Sequence, residues 1–574
     1  MLSTEGKFDI DRVPFSCYGA YIAFSRIAYG PERFVGHLGL RSLHGLFSDQ
    51  ETYPFIMLDE AENWLMPDLV MSAVELEAIS DQRYLKLCFH DEKTVHMLAN
   101  TRILLAKTEL KGFLSDRIMH HENGIWEIAG DDGSIRIRLH RGSLLDRSGW
   151  NNNGKVCEQV EAILIPDASG QLDFCLWYDG ITSNEPSHRG YSEDLLACKN
   201  KYNEFKARFS TKSDKYKEAT EQAAYISWHS VVLPEGLIKH PVMLVSKNIM
   251  NMVWGWDYAF NALALIDKQP DLAYAQFLAV AEMQDENGAY PDAFHARRAV
   301  RSFVKPPVQG FFLYKMYCLV PPEPSIRKRL YSSTAKFTDW WLTYRTAQDG
   351  LPLYHHGNES GWDNGTAFRD GLPVKTPDLS MWLILQMDFL AREAKYLGST
   401  DQQFRWEQSS QRLFSAMVEH QLSAEGFQAI RISGTERLPV KSESLLLFLP
   451  LLLGKRIPEE VRDKLLRKLL AKDKYFTPYG FVSEPLDSEL FQEDGYWRGA
   501  VWPPTALLMS ELLRRCGMKE EALLNAEAYC DMCAVSGFFE NYSAIDGHGL
   551  RDCGFTWSAS VFLIFLRDFL ELDI

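Results

Sequence analysis

Four short segments of this sequence place tryptophan, glycine and a carboxylate or guanidinium within a few residues of one another. They are Trp254-Gly255-Trp256-Asp257, Glu359-Ser360-Gly361-Trp362-Asp363-Asn364, Tyr496-Trp497-Arg498-Gly499-Ala500-Val501-Trp502-Pro503 and Glu540-Asn541-Tyr542. A pyranose offers an apolar face to an aromatic ring and a rim of hydroxyls to carboxylates, amides and guanidinium groups, so this mixture is the chemistry of a sugar site. Cleaving a glycosidic bond then requires two carboxyl groups, one acidic and one basic, on opposite sides of the bond. Asp257, Glu359, Asp363, Asp494 and Glu540 are the candidates. A single such segment also reads as an aromatic residue packed under a helix cap. Four of them in one helical stretch favour the sugar reading.

These segments need elements to hold them. Up to about residue 190 the apolar residues alternate, in runs at 18–27, 69–79, 83–89, 135–140, 160–165 and 172–178, with Gly, Asn and Asp clusters between them, as at 130–133 and 151–154. The pattern predicts an antiparallel β-sandwich over 1–205, and the lysine-rich stretch 199–217 reads as a connector ending near 215. From residue 216 to 574 the period becomes 3.6. About twelve helices are expected, near 216–231, 255–267, 270–284, 307–318, 324–346, 377–397, 401–420, 442–453, 457–471, 500–516, 518–534 and 555–571. Twelve helices joined by long aromatic loops suit an (α/α)6 toroid barrel, whose site lies where the loops of the inner helices converge. Periodicity alone also allows a superhelical stack. The expected class is thus α+β, multidomain, with a β-sandwich ahead of the barrel.

Composition narrows the function. The chain has 574 residues and a net charge of −16, from 61 Lys and Arg against 77 Asp and Glu, and it shows no basic patch, which argues against nucleic acid as a partner. No apolar run approaches the ~20 residues of a membrane span, and the N-terminus has neither the basic nor the apolar region of a signal peptide, so the expected location is cytoplasmic. Ten cysteines without framework spacing read as free thiols, and Cys530 and Cys533 lack the partners of a zinc site. No cofactor is called for and no metal ligand set is assigned. The acidic loop 285–292 has room for a structural calcium but lacks EF-hand spacing.

Taken in order, the four segments resemble the inverting (α/α)6-barrel glucosidases of glycoside hydrolase family 63 and the related trehalases of family 37, across the whole helical half. The resemblance implies that Asp363 is the general acid and Glu540 the general base. It implies that Asp257 and Arg498 bind sugar hydroxyls in the −1 subsite, and that Trp254, Trp256, Trp362 and Trp502 wall the pocket. Glu359, Asn364, Tyr542 and Trp557 complete the expected substrate-binding set. Asp363 must hold its proton near neutral pH, which an apolar wall and neighbouring carboxylates such as Glu359 would favour, while Glu540 must be ionised. Inversion places a water between base and sugar, so the two carboxyl groups are expected roughly 6.5–9.5 Å apart. His355-His356 and the segment 546–549 are expected at the cleft mouth; 284–292 reads equally as pocket rim or plain turn. The implied function is an inverting, exo-acting glycoside hydrolase that removes a terminal α-linked glucose-like residue from a small oligosaccharide or glycoside. The alternatives are a phosphorylase or lyase on the same toroid and a non-catalytic carbohydrate-binding protein. Oligomeric state is not legible.

Overall fold

The computed structural model describes residues 7–44, 51–108, 110, 116–130, 133–150, 157–180 and 184–571. The expected turn at 151–154, the middle of the one at 130–133 and the first six residues lie outside them. The chain divides into two compact units. The first takes residues 1–210, 224–233 and 246–251, and the second 211–223, 234–245 and 252–574. The passage expected near 205–215 is therefore followed by further exchanges up to residue 251.

The first unit carries two antiparallel sheets. One has six strands in the order Ile22–Arg26, Leu38–Ser42, Thr52–Leu58, Arg102–Ala106, Glu161–Ile165, Ser143–Asp146. The other has eight, in the order Asp68–Met71, Leu76–Ser80, Arg83–Phe89, Thr94–Ala99, Leu172–Asp179, Ser134–Arg141, Trp126–Ala129, Arg117–His120. Period two explains the register: Leu85, Leu87 and Phe89 lie opposite Ala99, Met97 and Val95, and all six are buried. The single strand expected at 69–79 is a hairpin instead. The Ser72 hydroxyl accepts hydrogen bonds from the backbone N–H groups of Val74 and Glu75, closing a turn where the apolar pattern continues unbroken.

The lysine-rich connector is, in its first part, helix α1 (Tyr191–Lys206). Asp194, Cys198, Tyr202 and Phe205 fall on one buried face, leaving the lysines to the other. Its Asp194 carboxylate pairs with the rings of His90 at 2.9 Å and His96 at 2.7 Å. Helix α2 (Lys217–His229) is divided between the two units.

The second unit continues with α3 (Asp257–Leu265), α4 (Pro270–Glu282), α5 (Gln309–Leu319), α6 (Pro324–Tyr344), α7 (Pro377–Tyr396), α8 (Thr400–Gln421), a 3-10 helix (Leu445–Arg456), α9 (Glu459–Leu469), α10 (Pro503–Arg515), α11 (Lys519–Ser536) and α12 (Thr556–Phe565). Helices α3, α5, α7, the 3-10 helix, α10 and α12 each pack on the next, and α12 returns to α3, so they form a closed inner ring. α4, α6, α8, α9 and α11 lie against that ring from outside. Burial follows position: every residue of α3 and α12 is buried, whereas α8 and α9 bury one stripe.

The inner element expected as an α-helix at 442–453 is a 3-10 helix. Pro450 lacks an N–H, and in an α-helix its ring would meet the carbonyl four residues back; Gly454, at φ 57°, then kinks the run before its last two residues. No helix among the described residues is long and apolar enough to cross a membrane.

Candidate active site

The charged members of the four segments sit before, or at the first residue of, the inner helices. Asp257 opens α3, residues 359–364 lie between α6 and α7, residues 496–502 lead into α10, and 540–542 form a strand that pairs with Gly549–Cys553 ahead of α12. Proline at the first positions of α4, α6, α7 and α10 fixes the entry of the chain into each.

The aromatic residues form one cluster. Trp497 stacks on Trp502 with centroids 3.8 Å apart and rings 6° from parallel. Trp362 lies 4.8 Å from Trp497 and Trp256 6.2 Å from it, and Trp557 stands edge-on to Trp256 and Trp502. Gly361 makes room for this arrangement: its φ is +75°, and a Cβ there would come within 2.5 Å of the Trp256 ring.

The cluster carries the carboxylate of Glu540. Trp557 Nε1 donates to the Glu540 carbonyl at 3.0 Å, and the Tyr496 hydroxyl donates to its Oε1 at 2.9 Å. Tyr496 has a left-handed backbone, φ 62°, and its carbonyl accepts from Trp502 Nε1 at 3.1 Å. Asn364 closes the same turn, donating to the Gly495 carbonyl at 3.0 Å and accepting from the Trp497 N–H at 2.9 Å. Asp363 keeps about a third of its side chain accessible (32%), and Lys305 Nζ stands 3.9 Å from its Oδ1. Lys305 also meets Asp292 at 3.2 Å and donates to the carbonyl and Oδ1 of Asn358 at 2.6 and 3.0 Å.

Charge and burial shift these groups together. Burial raises Glu540 to about 7; the Tyr496 hydrogen bond opposes the rise, and the charges of Asp552 and Asp363 add to it. Burial raises Asp257 to about 8, with Lys305 opposing and Glu540 and Asp292 adding. Asp363 is raised by burial and by Asp292, against Lys305 and His356. A cluster of carboxylates around one ammonium cannot all be ionised, so it holds protons at neutral pH. Its chemical capacity is therefore proton donation and proton acceptance within one aromatic-walled site.

Several of the side chains expected to bind substrate have partners within the protein. Glu359 is buried, with both its oxygens in a bidentate ion pair with Arg345 at 3.0 Å and one of them accepting from the His355 N–H at 2.7 Å. The carboxylate neighbour acting on Asp363 is Asp292, not Glu359. The Tyr542 ring turns into the core, where its hydroxyl donates to the Gly537 carbonyl and accepts from the Phe539 N–H. Asn364 spends its amide on the 495–497 turn. Trp254 belongs to a short strand paired with Ala293 and is partly exposed. Arg498 holds Gln492 at 2.6 Å, and its Nε is buried without a hydrogen-bond partner.

Tyr496, Trp497, Asp292 and Lys305 are the residues that sequence reasoning passed over or left at the rim. The first two stood inside a quoted motif. Lys305 had a signal too: Lys305-Pro306-Pro307 precedes inner helix α5 as Trp502-Pro503-Pro504 opens inner helix α10. Glu493, Asp546 and His548, all three exposed, bring one ligand atom each within 4.8 Å of the others, and among the described residues they are the only group of three or more metal-ligating side chains that does so. All ten cysteines are free.

Comparison with known proteins bears on this geometry. Residues 250–558 match the model of the mannosylglycerate hydrolase MGH1-like glycoside hydrolase domain. The mannosylglycerate hydrolase of Thermus thermophilus is 32% identical over 123 residues, 21% of this chain and 28% of the relative. That of Rubrobacter radiotolerans is 34% identical over 73 residues, 13% of this chain and 16% of the relative. The chain thus aligns with less than a third of the length of these curated relatives. Among solved structures, a family 63 mannosylglycerate hydrolase from Thermus thermophilus in complex with glucose superposes with TM-score 0.53 and 20% identity, covering 60% of this chain and 99% of that one. A bacterial glucoamylase complexed with acarbose gives TM-score 0.65 and 12% identity, covering 98% of this chain and 95% of that one. At these identities the likeness is one of fold.

Proposed function

The chain belongs to the mannosylglycerate hydrolase MGH1-like glycoside hydrolase family, and from that membership we propose that it hydrolyses a terminal α-linked glucose-like residue from a small oligosaccharide or glycoside, with inversion. In this reading Asp363 protonates the leaving oxygen, and Glu540 takes a proton from the water that attacks the anomeric carbon. Asp257 and Arg498 hold hydroxyls of the sugar in the −1 subsite, whose anomeric carbon is attacked, and the tryptophan cluster backs it.

One observation carries the assignment. Asp363 and Glu540 come from loops far apart in sequence, yet the charge of Asp363 acts on Glu540, and both loops run into the same tryptophan stack through Trp362 and Tyr496-Trp497. The reading asks Asp363 to be protonated and Glu540 ionised at the start of the reaction. Asp292 next to Asp363, and the Tyr496 hydroxyl on Glu540, act in those two directions. As the bond breaks, the proton passes from Asp363 to the aglycone oxygen, and the water's proton passes to Glu540, so the site's total charge is conserved. Asp363 then takes a proton from solvent and Glu540 gives one up before the next turnover.

The names of the curated relatives favour a second substrate within the same mechanism, an α-mannosyl residue carried by glycerate. Both are tested together by incubating the protein with α-linked gluco- and manno-disaccharides and glycerate glycosides, read by proton NMR at early times with and without phosphate. The expected product is the β-anomer, released without phosphate. First release of the α-anomer would overturn inversion, and dependence on phosphate or an unsaturated product would point to a phosphorylase or lyase. D363N and E540Q are each expected to lower kcat by about 10³-fold while sugar binding persists. Substantial activity in either variant would remove the role given to that residue.

A further inference from the structure

We infer that Lys305 and Asp292 are opposed positioning residues for Asp363, the carboxylate keeping the proton on it before reaction and the ammonium stabilising the charge it acquires on giving that proton up. The inference rests on Asp363 being the general acid.

The geometry is that of a built site. Lys305 is followed by Pro306 and Pro307 at the entry to α5, so its backbone is stiff, and its side chain is buried. Two of its three ammonium protons go to the carbonyl and Oδ1 of Asn358, which is itself held by its N–H donating to His356 Nδ1 at 3.1 Å. The third is left to two carboxylates, Asp292 at 3.2 Å and Asp363 at 3.9 Å, and it cannot satisfy both. Asp292 Oδ1 is buried and makes no aligned hydrogen bond. Gly255 permits the approach: its N–H donates to the Asp292 carbonyl at 2.7 Å, and a Cβ there would lie 3.0 Å from Lys305 Cγ and 3.1 Å from that carbonyl.

The consequence follows from where charge changes. A general acid is neutral at the start and anionic at the end, so an ammonium 3.9 Å away interacts with it more strongly as the reaction proceeds, which is transition-state stabilisation. An ionised Asp292 acts in the other sense and disfavours early loss of the proton. The other groups facing Asp363 are His356, Glu540 and the Tyr496 hydroxyl. Of these, His356 when protonated acts with Lys305, and Glu540 acts with Asp292.

The test uses variants of opposite sign. In K305M the basic limb of the kcat/KM profile should move to higher pH by about one unit, with kcat down roughly tenfold and KM little changed; K305R should restore both. In D292N the same limb should move about one unit lower. Carboxyl 13C NMR titration of the free protein, with the Asp363 signal assigned by its loss in D363N, should show the same two opposite shifts without any substrate. If that signal stays at the parent position in both folded variants, or moves the same way in both, the inference is overturned. The two readings fail separately: activity retained in D363N removes Asp363 as the acid, whereas an inactive D363N with unshifted titrations in K305M and D292N removes only the part given to the pair. Near-ultraviolet circular dichroism establishes which variants are folded, and K305Q stands in for K305M if that variant is not.

Discussion

Tyr496 has a left-handed backbone that an aromatic residue adopts at a cost of about 1–3 kcal/mol. Hydrogen bonds to its own carbonyl and to both flanking residues over-determine it, so the strain persists and the hydroxyl is delivered to Glu540. That hydrogen bond favours ionised Glu540, which burial alone would push still higher than about 7. Tyr496→Phe should therefore raise the pH at which Glu540, the proposed base, is ionised. The acidic limb of kcat/KM should move up from near 7 by about half a unit to one unit, cutting activity several-fold at pH 6 and less at pH 8. A profile identical to the parent's would show that the hydroxyl does not act on the base. Spacing alone did not reveal this residue's place, because a tyrosine before Trp497 looks like one more wall residue until its hydroxyl is seen on Glu540.

At the scale of elements, the site depends on how closely the loops before the inner helices approach one another. Gly361 shows the tolerance: its φ of +75°, and the 2.5 Å that would separate a Cβ at this position from the Trp256 ring, leave no room for a side chain. Gly361→Ala should destabilise the protein by about 2–4 kcal/mol, from backbone strain added to overpacking, seen as a lower urea midpoint at unchanged slope. It should also lower kcat, because the displaced Trp256 ring precedes Asp257 directly. An unaltered midpoint would mean the loop relaxes freely. The elements themselves were largely legible, since helical period is a local property and the outer helices bury a stripe. The departures have local causes that compete with period: Ser72 closing a turn inside an apolar run, and Pro450 converting an inner α-helix to a 3-10 helix.

For the molecule as a whole, the buried carboxylates make stability depend on pH. Asp257 titrates near 8 in the folded protein and near the ordinary 4 when unfolded, so folding binds its proton more tightly. The stabilisation that this proton gives is complete below about pH 4 and is lost as pH rises through 8. Asp257→Asn, which needs no proton, should therefore be more stable than the parent at pH 8 by about 5 kcal/mol and show no such gain near pH 4, while losing activity. Thermal melts of both proteins at the two pH values check this; an equal offset at both would assign the effect to packing instead. The net charge of −16 adds to the strain at high pH, because every ionised carboxylate then repels the rest.

Adjacency in sequence determined the chemistry that could be named at once. Tryptophan beside aspartate, glutamate and arginine on loops before helices announces a carbohydrate site, and the change of period near residue 216 announces β-structure followed by helices. These are short-range properties, carried by side-chain type and by the geometry of one turn or one strand. Which carboxylates face one another is a long-range property. Glu359 and Asp292 look alike as acidic residues near glycine or proline, yet Arg345 claims the first for the core and Lys305 draws the second to Asp363. The closing of α12 onto α3 likewise belongs to no single segment, since it is made by contacts between the first and last inner helices that no local pattern records. Burial completed the site. The displacement of proton equilibria at Asp257, Asp363 and Glu540 arises from the removal of water by elements distant in sequence, and it appears only when all of them are in place.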